Sequence, residues 1–177
     1  MRKATLDLHA VVSEAVNELV LAFPERSLRH ERAGHAVVEA DADRLVQVLG
    51  NPVGNAVSYG APDRPITIST SGETARVELA VHNEGPPIPA NPVARLFEPM
   101  VRGDPQSTGG RGVGLGLYIV REIARAHGGT VHVRSGVGEG TRFVVVLPGG
   151  EVGSGMRVTG WMRELAGGGC GDWVSRG

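Results

Sequence analysis

The chain has 177 residues, 27 of them glycine, a formal charge of −1 and a single lysine, Lys3. Because Lys3 lies beside the amino terminus, the sequence excludes designs in which a lysine follows a phosphate-binding glycine loop or sits on a kinase strand. It also excludes an enzyme that forms a Schiff base through an activated lysine. Any phosphate chemistry must therefore use backbone amides, arginine and a metal ion.

Length, charge and cysteine content narrow the class of protein further. The length suits one domain of roughly 100–200 residues, and a net charge of −1 gives no electrostatic signature for nucleic acid or an acidic membrane. The one cysteine, Cys170, cannot form an internal disulfide, and no apolar run is long enough to span a bilayer. We therefore expect a cytoplasmic protein with no nucleic-acid partner and no membrane segment.

The first half of the chain predicts three strands and two helices. Residues 4–8 alternate as a short strand, and apolar residues then recur with a helical period over 9–22 until Pro24 ends the helix. Two short strands are expected around Gly34, within residues 27–39. A second helix follows over residues 41–59, and its apolar face consists of Leu45, Val48, Leu49, Val53 and Ala56.

The second half predicts two pairs of strands separated by a loop and a helix. Alternating strands are expected over residues 66–71, 75–83, 130–135 and 141–147, with Gly72 as the first turn. A polar, glycine-rich segment over 98–112 precedes an amphipathic helix over 114–127. This order predicts an α/β (α+β) two-layer sandwich, in which helices cover one face of a mixed, mostly antiparallel sheet.

The polar side of the helix over residues 41–59 carries the first candidate site. Asn51 and Asn55 lie four residues apart and so share one face, and an amide oxygen is a hard, neutral ligand suited to Mg²⁺. Polar residues that simply face solvent would show the same pattern. Pro52 leaves two conformations open: the helix is kinked there, or it restarts at Asn51, whose side chain then serves as a cap.

Two further segments have the composition of ligand-binding loops. The sequence GGRGVGLGL at 109–117 leads into a helix, and its glycines permit consecutive amides to converge on an anion. The strict spacing of a dinucleotide-binding fingerprint is absent. Asn83 stands at a strand end before EGPPIP, where it offers a donor and an acceptor to the edge of a base. A flexible loop and a proline-rich turn are the ordinary alternatives.

Five segments resemble, in order, the motifs of the ATP-binding domain of bacterial sensor histidine kinases. These are DADRLVQVLGNPVGNAVSYG, HNEGPPIP, LFEPMVRG, GRGVGLGLYIVREIARAHGG and GEGTRFVVVLP. They are similar to the N box, the first glycine box, the F box and the second and third glycine boxes of that family. Its GHKL, or Bergerat, fold is shared with DNA gyrase and heat-shock chaperone ATPases, and it implies a sandwich with a flexible lid over ATP.

The resemblance implies roles for individual residues. Asn55 corresponds to the residue that coordinates the Mg²⁺ bridging the ATP phosphates, and Asn51 to a supporting catalytic position. Phe97 corresponds to the hinge of the lid, whereas Arg102 and Arg111 are candidate phosphate contacts because of their charge and placement. The residues expected to bind the nucleotide are Asn55, Tyr59, Asn83, Gly85, Ile88, Phe97, Arg102, Arg111, Gly112, Gly114, Leu115, Gly116 and Thr141.

Four positions depart from the pattern of the family. Asn83 stands where most members have an aspartate, although its oxygen can still accept a hydrogen bond from the adenine amine. Pro87 replaces a glycine, as in a GPPIP subset of these kinases, and Pro52 replaces a leucine. Ser58 stands where many members carry a lysine or arginine, so one contact with phosphate is missing.

The resemblance implies transfer of the γ-phosphoryl group of ATP to a histidine on a dimerisation domain, with a response regulator downstream. None of the six histidines lies in a long helix of the acceptor type, so we expect that domain in trans or in a longer parent chain. A non-catalytic ATP-binding regulatory module and a serine kinase of the anti-sigma type stay open as alternatives. Residues 1–148 are expected to form the domain, and the glycine-rich residues 149–177 a disordered tail.

Overall fold

The structure is a computed structural model that describes residues 1–88, 96–98 and 113–150. The strands are β1 (Ala4–Asp7), β2 (Leu28–Gly34), β3 (Val37–Ala40), β4 (Ile66–Glu73), β5 (Arg76–Asn83), β6 (Thr130–Gly136) and β7 (Gly140–Pro148). The helices are α1 (Leu8–Ala22), α2 (Ala42–Tyr59) and α3 (Val113–Ala126). This is the order that the sequence predicts; most of the predicted loop over 98–112 and nearly all of the predicted tail lie outside the described residues.

One mixed sheet organises the described residues. Its five strands follow the order β2-β4-β5-β7-β6, with β2 parallel to β4 and every other pair antiparallel. The strands β1 and β3 form a separate antiparallel pair. The predicted sandwich with a mixed, mostly antiparallel sheet is therefore confirmed. No helix in the described parts of the chain is both long and apolar enough to cross a membrane.

The turn of the first hairpin differs from the prediction. Glu73 pairs with Arg76, so the turn consists of residues 74 and 75, and Gly72 lies inside β4. A glycine is required there because the backbone of His35 approaches that of Gly72 closely. A Cβ atom on Gly72 would lie 2.1 Å from the carbonyl oxygen of His35, which no other residue type tolerates.

The hydrophobic core lies between the helices and one face of the sheet. We call this face the inner face and the opposite one the outer face. The largest side chains that are fully buried there are Leu8, Leu45, Leu49, Ile66, Ile68 and Leu117. All five predicted apolar positions of α2 are buried. Burial of this helix face, at about 25 cal/mol per Å² of apolar surface, holds the polar side of α2 in a fixed orientation.

The start of α2 is tied to the end of α3 through Asp41 and His127. The Asp41 carboxylate accepts hydrogen bonds from the backbone N–H groups of Arg2 (2.6 Å) and Arg44 (3.3 Å), and the bond from Arg2 lowers the pKa of Asp41. The backbone N–H of Asp41 in turn donates to Nε2 of buried His127 (3.1 Å). Nδ1 of His127 therefore carries the proton and donates to the carbonyl oxygen of Ile123 (2.8 Å).

An arginine caps the other end of α2. The guanidinium of Arg26 donates to the carbonyl oxygens of Ala61 (3.1 Å), Val57 (3.4 Å) and Ala56 (3.5 Å). The carbonyl oxygen of Ala56 also accepts from the backbone N–H of Gly60 (2.9 Å), so the cation adds to this cap and interacts favourably with the helix dipole. The two ends of α2 are thus fixed by contacts from distant parts of the chain.

Pro52 does not interrupt α2. The helix is continuous from Ala42 to Tyr59, so the alternative in which it restarts at Asn51 is wrong. The side chain of Asn51 donates through Nδ2 to the carbonyl oxygen of Gln47 (3.1 Å), one turn earlier, instead of capping a new helix. The anchored ends and the buried face of α2 explain why the helix persists although proline removes one backbone hydrogen bond.

A glycine substitution tests the packing of β2 against β4. Gly34 has φ of +68° and a Cβ atom there would lie 2.1 Å from the carbonyl oxygen of Gly72. Gly34→Ala should therefore lower the free energy of unfolding by about 2–5 kcal/mol, because backbone strain and overpacking add. Gly50→Ala is the matched control, since a Cβ there meets nothing within 4 Å. Urea unfolding followed by circular dichroism measures both; unchanged stability of Gly34→Ala would contradict the close approach.

Candidate functional site

Three polar side chains form a row at one end of the inner face of the sheet. Asn83 at the end of β5 pairs with Thr141 in β7, and Thr141 pairs with Ser135 in β6. Asn83 and Thr141 are only 6% and 4% exposed. Buried polar groups are costly unless they are hydrogen-bonded. The polar groups of this row must therefore form hydrogen bonds with one another or with a ligand.

Ser135 connects this row to the segment that follows β5. Its hydroxyl oxygen accepts a hydrogen bond from the backbone N–H of Ile88 (2.8 Å) and lies 2.8 Å from the hydroxyl oxygen of Thr141. When Ser135 donates its proton to Thr141, the proton of Thr141 is available to a ligand. Ser135 was not among the residues predicted from the sequence. Ser135 could have been found only from its position opposite Thr141 on the inner face. That position depends on the register of the β6–β7 hairpin, which the sequence does not determine.

The end of α2 lies against the end of β5 without room for a side chain. Gly85 has φ of +148°, and a Cβ atom on it would lie 3.0 Å from the backbone nitrogen of Ala61 and 3.2 Å from the carbonyl oxygen of Tyr59. The N–H of Ala61 donates to the carbonyl oxygen of Glu84 (2.8 Å). The backbone from Tyr59 to Ala61 therefore adjoins Gly85 and Asn83, and Tyr59 is 50% exposed.

The amide of Asn83 is oriented by its surroundings. Its Nδ2 atom donates to the carbonyl oxygen of Glu84 (3.3 Å), and a Cβ atom on Gly60 would lie 3.0 Å from that nitrogen. Because the nitrogen is used in this way, Oδ1 remains as the acceptor that Asn83 offers to a ligand. The site thus presents one acceptor, at Asn83, and, when Ser135 donates to Thr141, one available hydroxyl, at Thr141.

The polar side of α2 meets the start of α3. The hydrogen bond from Nδ2 of Asn51 to Gln47 leaves Oδ1 facing α3, where a Cβ atom on Gly116 would lie 2.7 Å from it. Asn55 is half-buried one turn further along α2. The first turn of α3 includes Gly114 and Leu115. An amide-bearing helix face therefore adjoins a helix N-terminus, which favours anions.

The structure brings together most, but not all, of the predicted site residues. Those gathered at the strand ends and the end of α2 are Tyr59, Asn83, Gly85, Ile88 and Thr141. Asn51 of α2 contacts Gly116 of α3, and Asn55 lies one turn further along α2. Phe97 is half-buried in a turn formed by residues 96–98. Arg102, Arg111 and Gly112 lie outside the described residues.

Comparison with known proteins gives a family match over this site. Residues 40–151 match the family described as histidine kinase-, DNA gyrase B-, and HSP90-like ATPase. The chain is 34% identical over 148 residues to the sensor-like histidine kinase SenX3 of Mycobacterium bovis, and 33% identical over 151 residues to the sensor protein CutS of Streptomyces lividans. The matches cover 81% and 84% of this chain but 36% of each relative, so the chain spans about a third of their length.

Solved structures of histidine kinases are also similar to this chain. The catalytic domain of histidine kinase ThkA has a TM-score of 0.70 at 28% identity, with 84% of this chain and 96% of that chain covered. Full-length ShkA in complex with AMPPNP has a TM-score of 0.68 at 28% identity, with 84% of this chain and 31% of that chain covered. The described fold is therefore similar to that of histidine kinase catalytic domains.

Removal of one hydroxyl tests the buried network. Ser135→Ala leaves the N–H of Ile88 without its acceptor and should lower the free energy of unfolding by about 1–3 kcal/mol. Ser69→Ala is the matched control, because Ser69 pairs with Ala80 in the same sheet and points to the outer face. Urea unfolding of both variants measures the difference. Equal stability of the two would show that Ser135 has no structural role in the site.

Proposed function

We propose, since the chain belongs to the family of histidine kinase-, DNA gyrase B- and HSP90-like ATPases, that it is the ATP-binding catalytic domain of a sensor histidine kinase. In this proposal it transfers the γ-phosphoryl group of ATP to a histidine of a dimerisation domain. The single observation that carries the proposal is the polar row of buried Asn83, buried Thr141 and half-buried Ser135, which the carboxyl end of α2 adjoins at Gly60. Of the two relatives, SenX3 is a sensor-like histidine kinase and CutS is a sensor protein, and both support the proposal.

Adenine is recognised in this proposal at the ends of β5 and β7. Oδ1 of Asn83 accepts a hydrogen bond from the adenine amino group, and the hydroxyl of Thr141 contributes a bond through water. Gly85 and Ile88 form the floor of the pocket, and Tyr59 packs beside the base. A neutral amide replaces the usual carboxylate here, so we expect weaker adenine binding than in relatives with aspartate, because charge-assisted hydrogen bonds are stronger.

The residues of α2 fit Mg²⁺ as the metal of the site. The described residues contain no group of three or more histidine, cysteine, aspartate or glutamate side chains that could hold a metal ion. Mg²⁺ does not need such a group, because it keeps several waters and takes few protein ligands beside substrate phosphates. The amide oxygen of Asn55 would hold the ion, and Asn51 would support it. When bound, Mg²⁺ neutralises charge that develops during phosphoryl transfer.

The phosphates are then held by the first turn of α3 and the segment before it. The helix N-terminus at Gly114, Leu115 and Gly116 offers backbone amides to the anion. We assign Arg102, Arg111 and Gly112 to the lid that closes over the phosphates. The incoming histidine nitrogen forms a bond to the γ-phosphorus while the bond to the bridging oxygen breaks and ADP leaves, so the protein contributes positioning and charge neutralisation.

We assign residues 1–148 to the catalytic domain and place it in the cytoplasm. The acceptor histidine belongs to a dimerisation domain in trans or in a longer parent chain, and a response regulator receives the phosphoryl group from it. The continuity of α2 through Pro52 removes one reason to regard the domain as a degenerate, non-catalytic module. We therefore retain the kinase as the single proposed function.

The proposal is tested by phosphoryl transfer in trans. The chain is incubated with γ-labelled ATP and Mg²⁺, with a purified histidine-containing dimerisation domain of a sensor kinase or with its variant lacking the acceptor histidine. We expect acid-labile label on the intact added domain alone. Acid-stable label on a serine would indicate a serine kinase instead. Nucleotide binding without any transfer would indicate a non-catalytic module.

A second variant tests the metal assignment. Asn55→Ala should weaken ATP binding in the presence of Mg²⁺ by at least about tenfold, because a loss of roughly 1.4 kcal/mol of coordination has that effect. ATP binding in EDTA should be the same in variant and wild type. Asn17→Ala, on the exposed side of α1, is the matched control. Calorimetry measures binding, and circular dichroism checks the fold; undiminished Mg²⁺-dependent binding by Asn55→Ala would refute the assignment.

A further inference from the structure

A row that contains three arginines and a histidine crosses the outer face of the five-stranded sheet. In register from edge to edge it consists of Arg29, Thr67, His82, Arg142 and Arg134, one residue from each strand. We call it the outer basic row. Adjacent strands lie about 4.8 Å apart, so the row is roughly 19 Å long. The three arginines are exposed, and the two other residues are half-buried.

The outer basic row lies directly behind the buried polar row. His82, Arg142 and Arg134 are each adjacent in sequence to a member of that row, and successive side chains of a strand point to opposite faces. The two rows therefore use the same three strands but face opposite sides of the sheet. A ligand on the outer face would occupy a site separate from the one between the sheet and the helices.

Most of the charge in this row is uncompensated within the described residues. There, Arg134 has no carboxylate within 4.0 Å, and Arg142 has one, Glu78, at 3.8 Å. Glu78 is already bound to Arg76 at 2.9 Å. Arg134 and Arg142 are direct cross-strand neighbours, and like charges in that position destabilise a sheet. The sheet thus holds its arginines together against their mutual repulsion.

One end of the row opens into a cavity of about 320 Å³, lined by His82, Arg134, Glu139, Gly140 and Arg142. Nε2 of His82 donates to the backbone carbonyl oxygen of Glu139 (2.9 Å) and so holds the β6–β7 turn at the rim. Glu139 contributes the one carboxylate of this lining. The cavity therefore places two guanidinium groups, which favour planar, bidentate carboxylate ligands, around a space of side-chain size.

We propose that the outer basic row binds an extended acidic segment of a partner protein, with aspartate or glutamate carboxylates on the arginines. The length of the row matches about six residues of extended chain at 3.3 Å each. A small anion would need only the cavity end, whereas Arg29 continues the charge to the opposite edge. The chain as a whole carries a charge of −1, so the row is a local feature and not part of a generally basic surface.

The test uses the full chain and a fluorescent peptide of alternating glutamate and glycine, with a lysine–glycine peptide as the reference. Fluorescence anisotropy should show binding of the acidic peptide alone, and affinity should fall as salt screens the charges. The double variant Arg134→Gln, Arg142→Gln should lose about 2- to 5-fold for each arginine, the size expected for exposed ion pairs. Glu139→Gln should bind the peptide more tightly than wild type.

A matched double variant separates the row from general electrostatics. Arg44→Gln with Arg125→Gln removes the same charge from exposed helix positions and should leave peptide affinity unchanged. Equal losses in the two doubles, or no binding to wild type below roughly 1 mM peptide, would overturn the proposal.

Arg29→Gln should also lose affinity; if it does not, and inorganic phosphate competes with the peptide, the site binds small anions only. Circular dichroism and retained ATP binding confirm that each variant is folded.

Discussion

The register of three antiparallel strands, β5, β7 and β6, is the constraint on which the rest of the structure depends. It places Asn83, Thr141 and Ser135 side by side on the inner face. A slip of one residue would exchange the faces of the sheet and expose these groups to solvent. The turn between β6 and β7 helps to fix the register, because Gly138 and Gly140 have φ of +75° and +71°.

The second constraint is the position of α2, which contacts at both of its ends hold against the strand ends. Asp41 and His127 hold the start of α2 against the end of α3, and Arg26 holds its other end, so the amide face of α2 cannot rotate away from the strand ends. Gly85 lets the backbone that follows β5 approach the end of α2. The adenine recognition that we propose at the strand ends and the metal binding that we propose on α2 would both depend on this one arrangement, and phosphoryl transfer by positioning would require it.

Much of this was predictable from the sequence because it follows from local periodicity. The alternation of the strands and the apolar stripe of α2 gave the element order and the sandwich, and glycine-rich boxes located most of the site. Contacts between distant segments could not be found in this way. Ser135 depends on the hairpin register, Arg26 on a tertiary contact with α2, and the role of Gly72 on a backbone approach from His35. From local sequence alone, Pro52 allows a break in the helix at Asn51, whereas tertiary packing keeps α2 continuous.

We propose that the nucleotide lies between the buried polar row and α2. Titration of the ¹⁵N-labelled chain with AMPPNP and Mg²⁺, followed by amide chemical shifts, tests it most directly. We expect large shifts at Asn55, Asn83 and Thr141, with only small ones along β2 at the far edge of the sheet. Shifts confined to the outer face, or absent from both Asn83 and Thr141, would contradict it.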